Sequence, residues 1–272
     1  MVEYSEALDR IRPLLDAALR PAIWIHDDID ADGSVGQSRV GGTPDLPAGM
    51  AWPGAESNSY LDFLLQINLA DLPVSDTTAS LPRKGMMWLF EYWNSPGVRQ
   101  LFVEPGDLDL ARAPSPEGVY FNYVGEVSER ALRFRVGEDL PRWTSDAHDA
   151  LVRQIQEELA LDDDDLGFEI LSDEGRRLEE RALAKLFGYT GGIGHSVHHD
   201  AEIYRIDPTA TYDYARRHEI DQSGAVEWRN LLTVHSRGDL CIGDSGNAVV
   251  LIRSEDLERS DLTKVYITHE SS

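Results

Sequence analysis

Cysteine is nearly absent from this chain: Cys241 is the only one among 272 residues. A single thiol cannot close an intrachain disulfide, which points to a reducing, cytoplasmic setting. Lysine is scarce too, with Lys84, Lys185 and Lys264 alone among 25 cationic side chains. That dominance of arginine reads as a GC-rich genome or as adaptation to high salt. Long apolar runs are missing. The longest, Met86–Phe90 and Ala248–Ile252, are five residues each, whereas a membrane helix needs about 20, so no membrane span is expected. The first residues carry Glu3, Glu6 and Asp9 where a secretory leader requires cations and an apolar core, so no leader is expected either. The largest deficit is positive charge: 25 Lys plus Arg face 49 Asp plus Glu, a net charge of −24. Such a chain repels phosphate backbones and anionic lipid, which excludes nucleic acid and membranes as direct partners and favours a basic protein.

What is present describes a globular object. A hydrophobic content of 42% with 27% charged residues is ordinary for a folded domain, and a single domain over 1–272 is expected. Leu8, Ile11, Leu14, Leu15, Ala18 and Leu19 recur at helical spacing, with Pro13 expected to kink or divide that helix. Ala22–His26 reads as a short strand, and residues 27–62, rich in Gly, Asp, Pro and Ser, as largely loop. Short strands are expected at Phe63–Leu69, Met86–Tyr92, Arg99–Glu104, Val119–Val124 and Ala131–Val136, with turn residues between them, which favours antiparallel pairing. The middle is helical: Leu151, Ile155 and Leu159 mark one helix behind Ser145 and Asp146 as N-caps. The run Asp162–Asp165 reads as a solvated connection from that helix to a strand. Leu178, Ala182 and Leu186 mark a second helix closed by Gly188, and Asp207-Pro208 opens a third over 208–218. Strands return at Asn230–His235, Ala248–Ile252 and Lys264–Thr268. The fold class expected is therefore α+β, mostly antiparallel sheet, with helices at the N-terminus and between two weakly repeated halves, 22–140 and 167–268. The repeat is carried by matching parts. Gly41-Gly42 leads to Phe63-Leu64-Leu65-Gln66-Ile67, and Gly85 opens an apolar strand. Gly188-Tyr189 leads to Asn230-Leu231-Leu232-Thr233-Val234, and Gly246 opens another.

The same segments carry a family resemblance. Ser38-Arg39-Val40-Gly41-Gly42-Thr43-Pro44-Asp45-Leu46-Pro47, followed by Trp52-Pro53, resembles the opening signature of the YwqG-like bacterial proteins, a family classed as a domain of unknown function. The likeness continues through Phe63–Leu69, Leu72-Pro73, Leu81-Pro82 and Gly85, and resumes at Lys185–Tyr189, Trp228–Leu232, Gly243-Asp244-Ser245-Gly246 and Ile252–Leu257. It spans about 22–268. This chain has Thr233 where the family usually has Gln, and Thr190–His195 where the family has polar residues. Gln66 and Asn68 alternate with Leu65 and Ile67 and so share the face opposite the core, where they meet solvent or line a cleft.

Few residues form patterns suited to chemistry. Asp28, Asp30 and Asp32 followed by Gly33 open like a calcium loop, in which alternate carboxylates converge and the glycine permits the turn. The pattern then lacks its bidentate acid, because Arg39 occupies the twelfth place. His195, His198 and His199 have a spacing that can share zinc on one helix turn, although Gly191, Gly192 and Gly194 favour a loop there. Gly243-Asp244-Ser245-Gly246 copies part of a serine-protease nucleophile loop, but no histidine stands in the context of a general base, so a tight turn is expected. The function expected is a cytoplasmic binding or interaction module without catalytic machinery or cofactor. The alternatives are an immunity-type protein neutralising a basic toxin and a metal-dependent hydrolase using calcium or zinc.

Overall fold

A computed structural model describes the chain except for residues 1–3, 55–59, 92–98, 117–126, 144, 161–164, 192, 194–195 and 271–272, with backbone alone at 28, 29, 99 and 165. The expected strand at 119–124, Tyr92 and most of the 162–165 run lie outside the described residues. Helix α1 (Tyr4–Ala18) leads into β1 (Arg20–Asp30), then β2 (Arg39–Val40), β3 (Asp45–Pro47), β4 (Asp62–Asn68), β5 (Gly85–Glu91), β6 (Arg99–Pro105), β7 (Leu110–Arg112) and β8 (Arg130–Asp139). Helices α2 (Asp146–Leu159) and α3 (Asp165–Glu179) follow, then β9 (Ala184–Phe187), α4 (Val197–Ile206), β10 (Trp228–His235), β11 (Asn247–Arg253), α5 (Ser254–Glu258) and β12 (Val265–Glu270).

Among the described residues ten strands form one antiparallel sheet in the order β12-β11-β10-β9-β1-β8-β2-β4-β5-β6. Strands β3 and β7 make a separate ribbon. Read outward from the central β1–β8 pair, each side presents a short strand, then three longer ones. β9 stands opposite β2, β10 opposite β4, β11 opposite β5 and β12 opposite β6. Because β1 lies on the side of β9–β12, the N-terminal strand belongs spatially with the C-terminal part of the chain. The two end strands curl toward each other until β6 and β12 come within 8 Å between Cα atoms, leaving a nearly closed barrel with one seam.

Alternation explains why β5 and β11 read as unbroken apolar runs. Met87 and Leu89 of β5, with Ala248, Val250 and Ile252 of β11, enter the barrel core beside Ile23, Ile25, Leu186 and Leu232. Their neighbours Met86, Trp88 and Phe90 pack outward under Leu46 and Leu61, and Val249 and Leu251 pack outward under Val197 and Ala201 of α4. Both faces are covered, so both alternate sets are hydrophobic. A fourth cluster joins Ala7, Ile11 and Leu15 of α1 to Leu151, Ile155 and Leu159 of α2 and Ile170 of α3.

Several local expectations change. Helix α1 runs unbroken through Pro13, because packing its Ile11–Leu15 face on α2 outweighs one lost backbone bond. Residues 27–62 are less irregular than composition implies: β1 continues to Asp30, and β2 and β3 lie inside the segment. The run that ends in Asp165 joins two helices rather than a helix and a strand. Helix α3 ends at Glu179 with Glu180 and Arg181 in the left-handed region. Leu186, expected in a helix, sits in β9, because the four-residue stretch Ala184-Lys185-Leu186-Phe187 is too short to carry a period that separates strand from helix. The expected helix over 208–218 shrinks to 3-10 turns at Pro208–Ala210 and Arg217–Glu219. Asp207 still caps the first of them by accepting the Thr209 N–H at 3.0 Å.

At the seam Glu91 of β5 meets His269 of β12, and Asp62 lies directly opposite Glu91 in the β4–β5 pairing. Burial, reinforced by the Glu91 charge, pushes the Asp62 carboxyl up to about 7. The folded state therefore holds a proton that the unfolded chain releases near pH 4. This group's contribution is full below that value and is lost as pH rises toward about 7. Asp62→Asn, which keeps the neutral form, is expected to gain stability relative to wild type across that window. Chemical unfolding of both proteins between pH 4 and 8 measures it, and parallel curves would refute the assignment.

Candidate functional site

The signature segment builds a buried polar centre. In β2, Val40 turns into the barrel and Arg39 turns out, yet Arg39 is fully buried, because segment 43–47 and Arg112 cover it. Its Nη1 donates to Asp45 Oδ2 at 2.6 Å, and its Nη2 donates to the Thr43 carbonyl. Asp45 Oδ2 also accepts the Gly36 N–H at 2.7 Å and Gln66 Nε2 at 2.9 Å, while Oδ1 accepts Arg112 Nε at 2.7 Å. Burial alone would raise the Asp45 carboxyl, but the donors from Arg39, Gly36, Gln66 and Arg112 hold it well below the usual carboxylate range. Gln66 thus neither meets solvent nor lines a cleft. It is fully buried, and its Oε1 accepts the Asp45 N–H at 2.8 Å.

The second side of the sheet repeats the plan with different residues. Lys185 of β9 pairs across to Thr233 of β10, as Arg39 pairs to Gln66. Lys185 Nζ donates to Asp139 Oδ2 at 2.6 Å, the Tyr189 N–H donates to the same oxygen at 2.9 Å, and Arg142 Nη2 donates to Oδ1 at 3.1 Å. Lys185 and Asp139 are both fully buried. Burial pulls the Lys185 ammonium down, against the attraction of Asp139. Thr233 is too short to bridge as Gln66 does. Its hydroxyl instead donates to Asn230 Oδ1 at 2.9 Å, and Asn230 Nδ2 donates to the Phe187 and Tyr189 carbonyls.

Each centre is closed by a left-handed residue pair at the end of the short strand, Gly41-Gly42 just after β2 at φ 71° and 66° and Phe187-Gly188 at the close of β9 at φ 63° and 68°. A Cβ on Gly41 would lie 2.5 Å from the Val127 carbonyl oxygen, and one on Gly188 would lie 2.7 Å from Asp139 Oδ2. Gly188 is therefore no helix cap; it lets the chain pass over the buried acid. Pro44 leads the chain into β3 beside Asp45. Apart from Arg39 Nε, which makes no hydrogen bond, these enclosed side chains are bonded to one another, and their work is to hold the sheet.

The metal candidates lie apart. Asp30 is on the extended backbone of β1, Asp28 shares that strand with its side chain outside the described residues, and Asp32 is tied locally, accepting the Ser34 N–H at 2.8 Å. His198 and His199 fall in the first turn of α4, so that part of the expected loop is helix, because Ser196 and Val197 begin it after the glycines. His195 lies outside the described residues. His199 Nδ1 is 2.9 Å from Gln222 Oε1, and among the described residues no group of three His, Cys, Asp or Glu could hold a metal. Asp244 and Ser245 are exposed in a turn closed by the Gly246 N–H donating to the Ile242 carbonyl, with Ser245 at φ 59°. No described helix is long and apolar enough to cross a membrane.

The open space is elsewhere. A cleft of about 660 Å³ lies outside β1, β9 and β10, lined by Arg20, Phe187, Gly188, Arg229, Asn230 and Leu257. A recess of about 200 Å³ adjoins it between the starts of α2 and α4, lined by Ser145, Tyr189, Ser196, His198 and Trp228. Arg20 and Arg229 border both spaces. The Arg20 guanidinium carbon stands 4.2 Å from the centre of the Tyr189 ring. Burial, the Arg20 charge, His199 and Arg229 push the His198 imidazole down to about 4, with Asp146 opposing. Sequence reasoning missed this site. Arg20 and Arg229 lie at opposite ends of the chain, and the one available signal was that Arg229 falls inside the Trp228–Leu232 signature segment.

No curated protein sequence matches the chain. Residues 38–270, which carry all but the first strand and helix, match the family described as domain of unknown function DUF1963, and the chain belongs to that family.

Proposed function

We propose that this protein is a binding module of the bacterial cytoplasm, grouped with the YwqG-like members of its family, and that it holds its ligand in the cleft outside β1, β9 and β10 without transforming it. The observation that supports this reading is the division of labour among its charged groups. The deeply buried ones, Arg39 with Asp45 and Lys185 with Asp139, are engaged with each other, whereas the cleft is open and bordered by arginines. His198 of the adjoining recess is ill suited to chemistry. With His198 pushed down to about 4, the imidazole is too weak a base to activate Ser196 near neutrality, where a general base works best with a pKa close to the operating pH.

Glu258 lines the cleft and is exposed, so Glu258→Trp should occlude the space without touching either buried pair. Wild type incubated with an extract of bacterial metabolites is expected to retain a small molecule in native mass spectrometry. The variant should lose it, and the released molecule should be chemically unchanged. Conversion of that molecule to a product by wild type would make the protein an enzyme, and equal retention by the variant would remove the ligand from this cleft.

A further inference from the structure

The recess beside the cleft has a chemistry opposite to that of the molecule around it. Against a net charge of −24, cations in this protein are mostly paired: Arg39, Arg112, Arg130, Arg142, Arg205 and Arg217 all have carboxylate partners. Arg20 and Arg229 are different. Among the described residues neither forms an ion pair, and both border the same recess. Arg20 is set in place by stacking on the buried Tyr189 ring, which lowers the conformational cost of engaging a ligand. Arg229 Nη1 donates to the Val226 carbonyl at 3.3 Å, which leaves other guanidinium N–H groups free to donate.

Two helices begin at the same place. Ser196, the N-cap of α4, makes no side-chain cap bond, and Ser145, Asp146 and Ala147 at the start of α2 line the other wall. Helix starts present backbone N–H groups and partial positive charge. Here they add to two arginines instead of standing alone. The one carboxylate on the recess wall, Asp146, lies 3.7 Å from His199 Nε2. Glu227 and Glu258 stand at the wider cleft beyond.

We propose that this recess is an oxyanion site that takes the phosphate group of a small phosphorylated ligand, held by Arg20 and Arg229 with the amino ends of α2 and α4. This inference rests on reading the adjoining cleft as the ligand site, and it names what that ligand carries. A volume of about 200 Å³ suits a single phosphate group, and the wider cleft suits the remainder of the molecule. The acidic surface selects for size as well. A nucleic acid would bring many phosphates against a surface of like charge, whereas one phosphate meets only the local cations. Binding also reverses the field at His198. Arg20, His199 and Arg229 now disfavour the imidazolium while Asp146 favours it. A phosphate seated among them adds negative charge beside the ring, so the His198 pKa should rise on binding.

The test uses the full chain with three probes: inorganic phosphate, glycerol 3-phosphate and a short single-stranded DNA. Calorimetry is expected to show saturable binding of the first two and none of the DNA. Arg20→Gln and Arg229→Gln should each weaken binding by roughly tenfold or more, as loss of a charge-assisted pair does, with Arg229→Lys retaining part of it. Both residues are exposed, so thermal midpoints should stay unchanged. An NMR titration of His198 with and without phosphate should show its pKa rising by about one unit or more. Preference for glycerol 3-phosphate identifies a phosphomonoester, and equal affinity identifies free phosphate. Lack of saturation up to about 10 mM, binding unchanged in the double Arg20→Gln, Arg229→Gln variant, or an unmoved His198 overturns the oxyanion site. If Glu258→Trp sheds the extract ligand while both arginine variants keep it and phosphate fails to compete, this inference fails and the cleft reading stands. If Glu258→Trp also keeps it, the cleft reading fails with it.

Discussion

Asp45→Ala is expected to destabilise the protein by about 3–5 kcal/mol, the range for breaking a buried ion pair from one side. The substitution removes the acceptor for Arg39, Gly36, Gln66 and Arg112 together. It leaves the Arg39 guanidinium, which is fully buried, without its anion. Urea unfolding monitored by tryptophan fluorescence measures the loss as a lower midpoint at unchanged slope. The combined Arg39→Met, Asp45→Ala variant should recover a large part of it, because no uncompensated charge then remains inside. The acid side of the stability profile follows with its sign. The Asp45 carboxyl lies well below its ordinary value in the folded state, so its contribution is full above the unfolded pKa near 3.9 and is lost only as pH falls through the lower folded value. The stability difference between wild type and Asp45→Ala should therefore be constant above about pH 4 and shrink as the pH falls below it. A loss below about 1 kcal/mol would show that the pair is no stronger than a surface salt bridge.

Asp139→Ala is expected to cost a similar amount, about 3–5 kcal/mol, by leaving the Lys185 ammonium buried against Trp24 without the carboxylate its Nζ donates to. The two partners are not equivalent, and that asymmetry is the test. Lys185→Met leaves Asp139 with the Tyr189 N–H and Arg142 as donors, so it should be much milder than the loss of the acid. Burial pulls the Lys185 ammonium down, so the folded state sheds this proton more readily than the unfolded chain, and this group favours folding more as pH rises through its folded value toward the unfolded one. A double-mutant cycle over Asp139→Ala and Lys185→Met should give a coupling of about 2 kcal/mol or more, with the double variant more stable than Asp139→Ala alone. Additive effects would mean that Asp139 acts through Tyr189 and Arg142 rather than through Lys185.

These two pairs show where local pattern stops being informative. Arg39 and Lys185 each sit beside an apolar residue, Val40 and Leu186, but the first lies in a stretch that reads as loop and the second in one that reads as helix, so neither is marked as a roofed strand position. Both outward faces are instead roofed, by the 43–47 segment in one case and by the Asp139–Arg142 corner in the other. Gln66 was misplaced for the same reason. Its position opposite the core was legible, but the layer that covers it comes from residues about 20 and 45 positions away. The helix expected through Leu186 fails because the four residues Ala184–Phe187 are too few to fix a period, and only pairing with β1 and β10 decides for strand.

The sequence by itself determined the class of object: an acidic α+β domain, strands at the apolar runs, α2 behind Ser145, and a turn at Gly41-Gly42. Each of these follows from interactions within a few residues, such as alternation, capping and the freedom to adopt positive φ. Tertiary structure alone decided the symmetric strand order, the return of β1 to the C-terminal side, the burial of Arg39 and Lys185, and the meeting of Arg20 with Arg229. These depend on contacts between residues far apart in the chain. Their energies come from desolvation and charge pairing that exist only once distant segments close over them.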